Sequence, residues 1–192
     1  MHKYNKFFIF ENLDTVRKIS LGKFWGVEVI ITSLTWLGPF LFFALHFVVN
    51  LLINLHLSLP ERLNQALYFT IAIEITTMIH ALGHVISGKM VKSAMDELLI
   101  TALRDVNRYH GEQSQIPSKV HLVRALGGPV LNIIVGVICI FFAASIPSGF
   151  WSNLNASMVT VNLFFGLGGF LPIPSVDGVV IWREIKNLVS KK

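Results

Sequence analysis

The sequence predicts a membrane protein that is all-α with a minor β component and has about four transmembrane helices. Hydrophobic residues make up 53% of the 192 residues, and charged residues make up only 14%. A soluble domain carries about 25% charged residues. Mean hydropathy is +0.63, and the apolar residues gather into four long stretches. Together these observations indicate a polytopic membrane protein.

The four apolar stretches cover residues 33–55, 67–91, 127–146 and 155–171. The first of them is long enough to cross a hydrocarbon core of about 30 Å. Residues 21–32 mix Gly, Trp and β-branched side chains, which favours a strand or a bent entry into the membrane. The polar segment 92–126 contains a turn-like sequence, and it predicts an extended hairpin or loop.

The basic residues define the orientation in the bilayer. They lie before the first stretch, between the second and third, and after the fourth, with Arg62 as the one exception. By the positive-inside rule both termini are cytoplasmic. The net charge is +5, and the basic residues behind it flank apolar segments instead of forming one patch. We therefore expect a lipid bilayer and no nucleic acid as partner.

These patterns divide the chain into three parts. Residues 1–32 are predicted to form a cytoplasmic or interfacial segment, and residues 33–178 the transmembrane core. Residues 179–192 are predicted to form an amphipathic helix on the cytoplasmic surface.

The second apolar stretch carries His80 and His84. Residues four apart share one face of a helix, which is the spacing that a zinc ion requires of two imidazoles. Ionisable groups inside a span mark a functional site by default. Two such histidines can also be structural and hydrogen-bond to their neighbours.

A catalytic zinc site has three protein ligands and an open position. Asp177 is the best candidate for the third ligand, because the prolines just before it end a helix and could carry it back into the core. Glu74 competes for this role, but it lies two helical turns, about 10.5 Å, before Ala81. That distance is too great for Glu74 to bind the same metal ion as the two histidines.

Three elements of the chain, in order, resemble the motifs of the site-2 proteases, which are intramembrane zinc metalloproteases. Residues 80–84 read His-Ala-Leu-Gly-His where the family has His-Glu-x-x-His, and residues 128–132 read Gly-Pro-Val-Leu-Asn. Residues 169–178 read Gly-Phe-Leu-Pro-Ile-Pro-Ser-Val-Asp-Gly where the family has Asn-x-x-Pro-x-Pro-x-x-Asp-Gly. The resemblance covers most of the chain from about residue 21 onward.

The resemblance implies a site-2-protease-like core, a zinc cofactor and hydrolysis of membrane-spanning protein substrates. It implies that His80, His84 and Asp177 bind the metal and that Asn132 lies near the substrate carbonyl. The implied substrate cleft is bordered by Gly128, Asn132, Pro172 and Pro174. It also implies an integral protein of a prokaryotic plasma membrane.

Two positions depart from the family pattern. Ala81 replaces the glutamate that serves as general base, and Gly169 replaces an asparagine. General acid–base assistance is worth about 10²–10⁴ in rate, so we expect slight or absent proteolysis. No other carboxylate of the chain is an obvious replacement. Asp96 and Glu97 could fold back from the cytoplasmic segment, but nothing in the sequence requires it.

Three hypotheses follow. The chain is an intramembrane protease that is disabled or uses another base, a native pseudoprotease that binds membrane segments without cleaving them, or a bundle without a catalytic metal. Ala81 is either an engineered inactivation or a native divergence. The second departure, at Gly169, favours native divergence, since an engineer would have little reason to change both positions.

Overall fold

The computed structural model describes residues 11–190, and they form a helical bundle with a small sheet at one end. In chain order the elements are β1 (Lys18–Phe24), β2 (Val27–Thr32), α1 (Leu37–Ile53), α2 (Leu59–Met90), β3 (Glu97–Ile100), β4 (Asp105–Arg108), α3 (Ser118–Phe142), α4 (Phe150–Gly168) and α5 (Asp177–Ser190). The mostly helical fold with a minor sheet confirms that part of the prediction.

Helix α2 is the central element, and it packs against α1, α3 and α4. Its buried positions are mostly small, which lets neighbouring backbones approach closely; they include Ala66, Ala72, Ala81, Gly83, Ser87 and Gly88. Large apolar side chains instead point outward, as with Leu52, Phe141 and Phe164, which are each more than 70% exposed. A bundle that is small inside and apolar outside is suited to lipid.

Within residues 11–190, two helical stretches are long and apolar enough to cross a membrane by length and composition. They are Leu59–Met90, with mean hydropathy 1.5, and Ser118–Ser145, with mean hydropathy 2.3. Helix α1 is apolar but has only 17 residues. The apolar helices indicate a membrane protein, while the count of four spans and the side of the termini stay predictions.

The helices extend beyond the predicted spans. Helix α2 begins at Leu59 and not near residue 67, because Ser58 and Glu61 form a capping box in which the Ser58 N–H donates to Glu61 Oε2 at 2.7 Å. Helix α3 begins at Ser118, nine residues before the predicted start, and it continues through Pro129. Hydropathy locates the apolar part of a helix, whereas these starts lie in polar sequence.

The four strands form one sheet in the order β1-β2-β3-β4. Pairs β1–β2 and β3–β4 are antiparallel, and β2 pairs with β3 in parallel although α1 and α2 separate them in the chain. The predicted extended structure in residues 21–32 and 92–126 is therefore present. The structure describes only part of the predicted segment 1–32, because residues 1–10 lie outside the described range.

The two faces of the sheet have different neighbours. One face contributes Ile30, Leu99 and Val106 to a small core with Leu13. The opposite face places Val27 and Leu98 against Val85 of α2. The sheet therefore rests on the end of α2 that follows His84, close to the predicted metal ligands.

Helices α2 and α3 approach backbone to backbone at Gly83. A Cβ atom at this position would lie 2.7 Å from the carbonyl carbon of Gly127 and 2.9 Å from the Cα atom of Gly128. No flexible side chain is available to move aside, so only glycine fits.

We expect Gly83→Ala to lower the free energy of unfolding by about 1–3 kcal/mol, because the added methyl group forces two backbones apart. Thermal unfolding in detergent measures the change. Gly168→Ala is the matched control, since a Cβ atom there meets nothing within 4 Å. Equal stability of the two variants would show that the helices are not in close contact at Gly83.

Candidate metal centre

The paired histidines of α2 face the same interior space. His80 Nε2 and His84 Nε2 are 3.1 Å apart, and the ring centroids are separated by 4.7 Å. His84 is only 4% exposed. The helical spacing predicted from the sequence thus brings two ring nitrogens to one point.

Asp177 reaches this point from the far end of the chain. Helix α4 ends at Gly168, and the following segment folds back before α5 begins at Asp177. Asp177 Oδ2 lies 3.0 Å from His80 Nε2 and 3.4 Å from His84 Nε2. The structure therefore brings together the three side chains singled out in the sequence, and Glu74 is not among them.

The three atoms fit a metal ion. Ligands about 2.0–2.1 Å from a tetrahedral zinc ion lie roughly 3.3 Å from one another, close to the observed 3.0–3.4 Å. Two imidazole nitrogens and a carboxylate oxygen that face one another repel unless a proton or a cation lies between them. This group could therefore hold a metal ion.

Hydrogen bonds on the outer side of each ring orient the lone pairs inward. His84 Nδ1–H donates to the backbone carbonyl of Arg124 at 2.8 Å, which leaves His84 Nε2 as the unprotonated nitrogen of a neutral ring. A metal-binding histidine usually donates its other N–H in this way.

His80 is oriented by Asn132, which is fully buried. The side-chain amide nitrogen of Asn132 lies 3.0 Å from His80 Nδ1, and its Oδ1 has no partner within the described part of the chain. Turning the amide over would let His80 Nδ1–H donate to that orphaned oxygen, since the two ends of an amide have nearly the same shape. The turned arrangement leaves His80 Nε2 bare for a metal ion.

Gly128 supports the same geometry by having no side chain. A Cβ atom at this position would lie 2.5 Å from His80 Nε2 and 2.6 Å from His84 Nε2. The glycine of the Gly-Pro-x-x-Asn element is therefore required where α3 passes directly under the two nitrogens.

A cavity of about 770 Å³ opens beside the three ligand candidates. The Ala81 side chain lines it and has no group that can transfer a proton. Leu171, Ile173 and Ser175 also line the cavity, whereas Pro172 and Pro174, which alternate with them in the chain, do not. The role of these prolines in a substrate cleft stays a prediction.

The two carboxylates considered as replacements for the missing glutamate have partners away from the metal centre. Asp96 accepts a hydrogen bond from the backbone N–H of His110, and Glu97 pairs with Arg108 at 2.9 Å. Neither residue lines the cavity. Neither residue folds back to the centre, because each is held by partners in or next to its own hairpin.

Sequence reasoning missed two residues beside the centre. Arg124 entered only as a cytoplasmic charge, yet it is 5% exposed, its guanidinium stacks 3.4 Å from the centroid of the Tyr109 ring, and its carbonyl orients His84. Asp105, on β4, lines the cavity. The sequence does not show that Arg124 is buried, and the position of Asp105 depends on strand register.

We expect Asn132→Ala to weaken zinc binding by about 10–100-fold, because outer hydrogen bonds to ligand histidines typically contribute that much. Competition with a chromophoric chelator in detergent measures the affinity. Asn132→Asp keeps an acceptor for His80 Nδ1–H and should recover most of the loss. Unchanged affinity in the alanine variant would contradict the orienting role.

No protein-family profile matches the chain, and no curated protein matches it. Among solved structures, the fold is similar to that of the site-2 protease from Methanocaldococcus jannaschii, with a TM-score of 0.62 and 20% sequence identity. The similarity covers 92% of this chain and 73% of that protein. The resemblance read from the motifs is confirmed as a likeness of structure: the chain has the fold of a site-2 protease.

Proposed function

We propose that this protein is a zinc-dependent membrane protein of the site-2 protease type, acting on peptide bonds of membrane-spanning proteins. One observation carries the proposal: the ligand atoms of His80, His84 and Asp177 converge within 3.4 Å at the wall of a cavity inside an apolar helical bundle. The shared fold supports the same class of activity.

Zinc is the proposed metal because two imidazoles and one carboxylate match its catalytic ligand sets. When bound, zinc polarises a carbonyl and lowers the pKa of water. Residues of the chain position the three metal ligands. Arg124 and Asn132 hold the two rings, and the fold-back segment holds Asp177 in reach of both.

The cavity offers a place for an extended peptide segment. Leu171, Ile173, Ser175 and Val176, all in a non-helical segment, line this cavity. Hydrolysis requires a helical substrate to unwind locally, since the carbonyl of a helix is engaged in its own hydrogen bond. A non-helical segment of successive turns borders the cavity beside the ligands, where such an unwound substrate would lie.

The packing around Gly169 supports native divergence of the chain. A Cβ atom at Gly169 would lie 2.6 Å from Pro129 Cγ and 2.9 Å from the Phe165 carbonyl oxygen. An asparagine does not fit here unless α3 and α4 shift. The surroundings of this position therefore suit glycine, and Ala81 belongs to the same diverged site in this proposal.

The alternative function is that of a native pseudoprotease, which would hold membrane segments in the same cavity without cleaving them. Ala81 favours this alternative, because a methyl group cannot accept the proton of an attacking water. We further propose an integral protein of a prokaryotic plasma membrane with cytoplasmic termini, supported by the distribution of Lys and Arg.

We expect the purified protein to bind one equivalent of zinc and Asp177→Ala to lose most of it, because the variant removes one of three ligands. Elemental analysis after dialysis measures the stoichiometry. Asp14→Ala removes an exposed carboxylate and is the control. Zinc retained by Asp177→Ala at full stoichiometry would exclude Asp177 as a ligand.

We expect Ala81→Glu to cleave single-span test proteins that carry helix-breaking Gly or Pro residues, in a zinc-dependent reaction. The cleavage should fall by at least about 100-fold when Asp177→Ala is added. Gel analysis of proteoliposomes provides the rates. A zinc-loaded Ala81→Glu protein that cleaves none of the substrates would support the binding role instead.

A further inference from the structure

Asp105 lies on the sheet face that packs against α2. In the register of β3 and β4, Leu99 pairs with Val106, which points to the small core on the other side of the sheet. Successive side chains of a strand alternate between faces, so Asp105 points oppositely to Val106. It therefore shares its face with Tyr109, which packs with Val85 of α2.

This placement directs the Asp105 side chain into the cavity of the metal centre. Asp105 and Ala81 line the same cavity as His80 and His84. Asp105 is half-buried, and within residues 11–190 no hydrogen-bond donor reaches its carboxylate. A carboxylate without a donor, at the wall of a reaction cavity, is placed to accept a proton from whatever enters the cavity.

The charges around Asp105 suit a proton acceptor near neutral pH. Burial is the main cause that raises the pKa of the Asp105 carboxyl to about 7, and the nearby charge of Glu74 adds to the effect. The positive charge of Arg104 acts in the opposite direction. A general base works best with a pKa near the working pH, so this pKa fits the role.

We propose that Asp105 is the proton acceptor that the chain uses in place of the missing glutamate at Ala81. The inference rests on the proposed hydrolytic function and deepens it, since it makes the native chain an active protease. The proposal follows from strand register, from the shared cavity and from the lack of a donor on the carboxylate.

The reaction balances with these residues. The carboxylate of Asp105 takes one proton from a water molecule as the water oxygen forms a bond to the peptide carbonyl carbon. The protonated Asp105 then gives that proton to the peptide nitrogen as the C–N bond breaks. The products are a new carboxyl group and a new amine, and Asp105 returns to its ionised form.

The decisive variant is Asp105→Asn, which keeps shape and removes the acceptor. In zinc-loaded proteoliposomes the native chain should cleave the single-span test proteins, and Asp105→Asn should be at least about 100-fold slower with one equivalent of zinc retained. Asp14→Asn makes the same chemical change at an exposed position and should match the native rate. Asp105→Glu should recover part of the rate.

The Ala81→Glu background separates catalysis from structure. Glutamate at position 81 supplies an acceptor, so adding Asp105→Asn there should cost less than about threefold. An equal loss in both backgrounds would show that Asp105 only supports the fold and would overturn the proposal. A native rate unchanged by Asp105→Asn would overturn it as well.

Two outcomes distinguish this inference from the proposed function. Cleavage by Ala81→Glu together with no cleavage by the native chain would end the inference and leave the proposed function standing. No cleavage by either protein, both loaded with zinc, would end both.

A spectroscopic measurement provides a readout that needs no turnover. The absorption of Co²⁺ bound in place of zinc should change with pH in the native protein as groups in the cavity, Asp105 among them, gain protons. The midpoint of this change should shift in Asp105→Asn and keep its native value in Asp14→Asn. A midpoint that Asp105→Asn leaves at the native value would contradict the proposal.

Discussion

The convergence of two imidazole nitrogens and one carboxylate oxygen is the constraint on which the remaining structure depends. Three acceptor atoms within 3.4 Å repel one another, and the bundle gives them little solvent. Such a cluster survives only when the surrounding structure holds each group and a cation or proton compensates the repulsion. Arg124, Asn132 and the segment before Asp177 provide that support.

Close backbone contact between α2 and α3 is the packing condition for this cluster. Gly83 lets the helices touch, and Gly128 leaves room for both ring nitrogens where α3 passes beneath them. The same helix then presents Asn132 one turn later, in hydrogen-bond contact with His80. One short element of α3 thus sets the distance to α2 and the orientation of a ligand.

The sequence was informative where chemistry follows from local spacing. The interval between His80 and His84 predicted their shared face, and the prolines before Asp177 indicated a return to the core. Boundaries such as the start of α3 at Ser118 were missed, because hydropathy does not report where a helix continues into polar sequence. Asp105 was missed because its direction depends on pairing with Ile100 and on a sheet that packs against a helix. Neither relation is local in the chain.

The parallel pairing of β2 with β3 imposes an order on biosynthesis. The hairpin of β1 and β2 leaves the ribosome first, but its hydrogen-bonding partner β3 follows only after α1 and α2 have been made. The edge of β2 that pairs with β3 therefore has no partner strand while both helices are synthesised. Asp177 begins α5 and is made later still, so the three ligand candidates are complete only after all four strands have been synthesised.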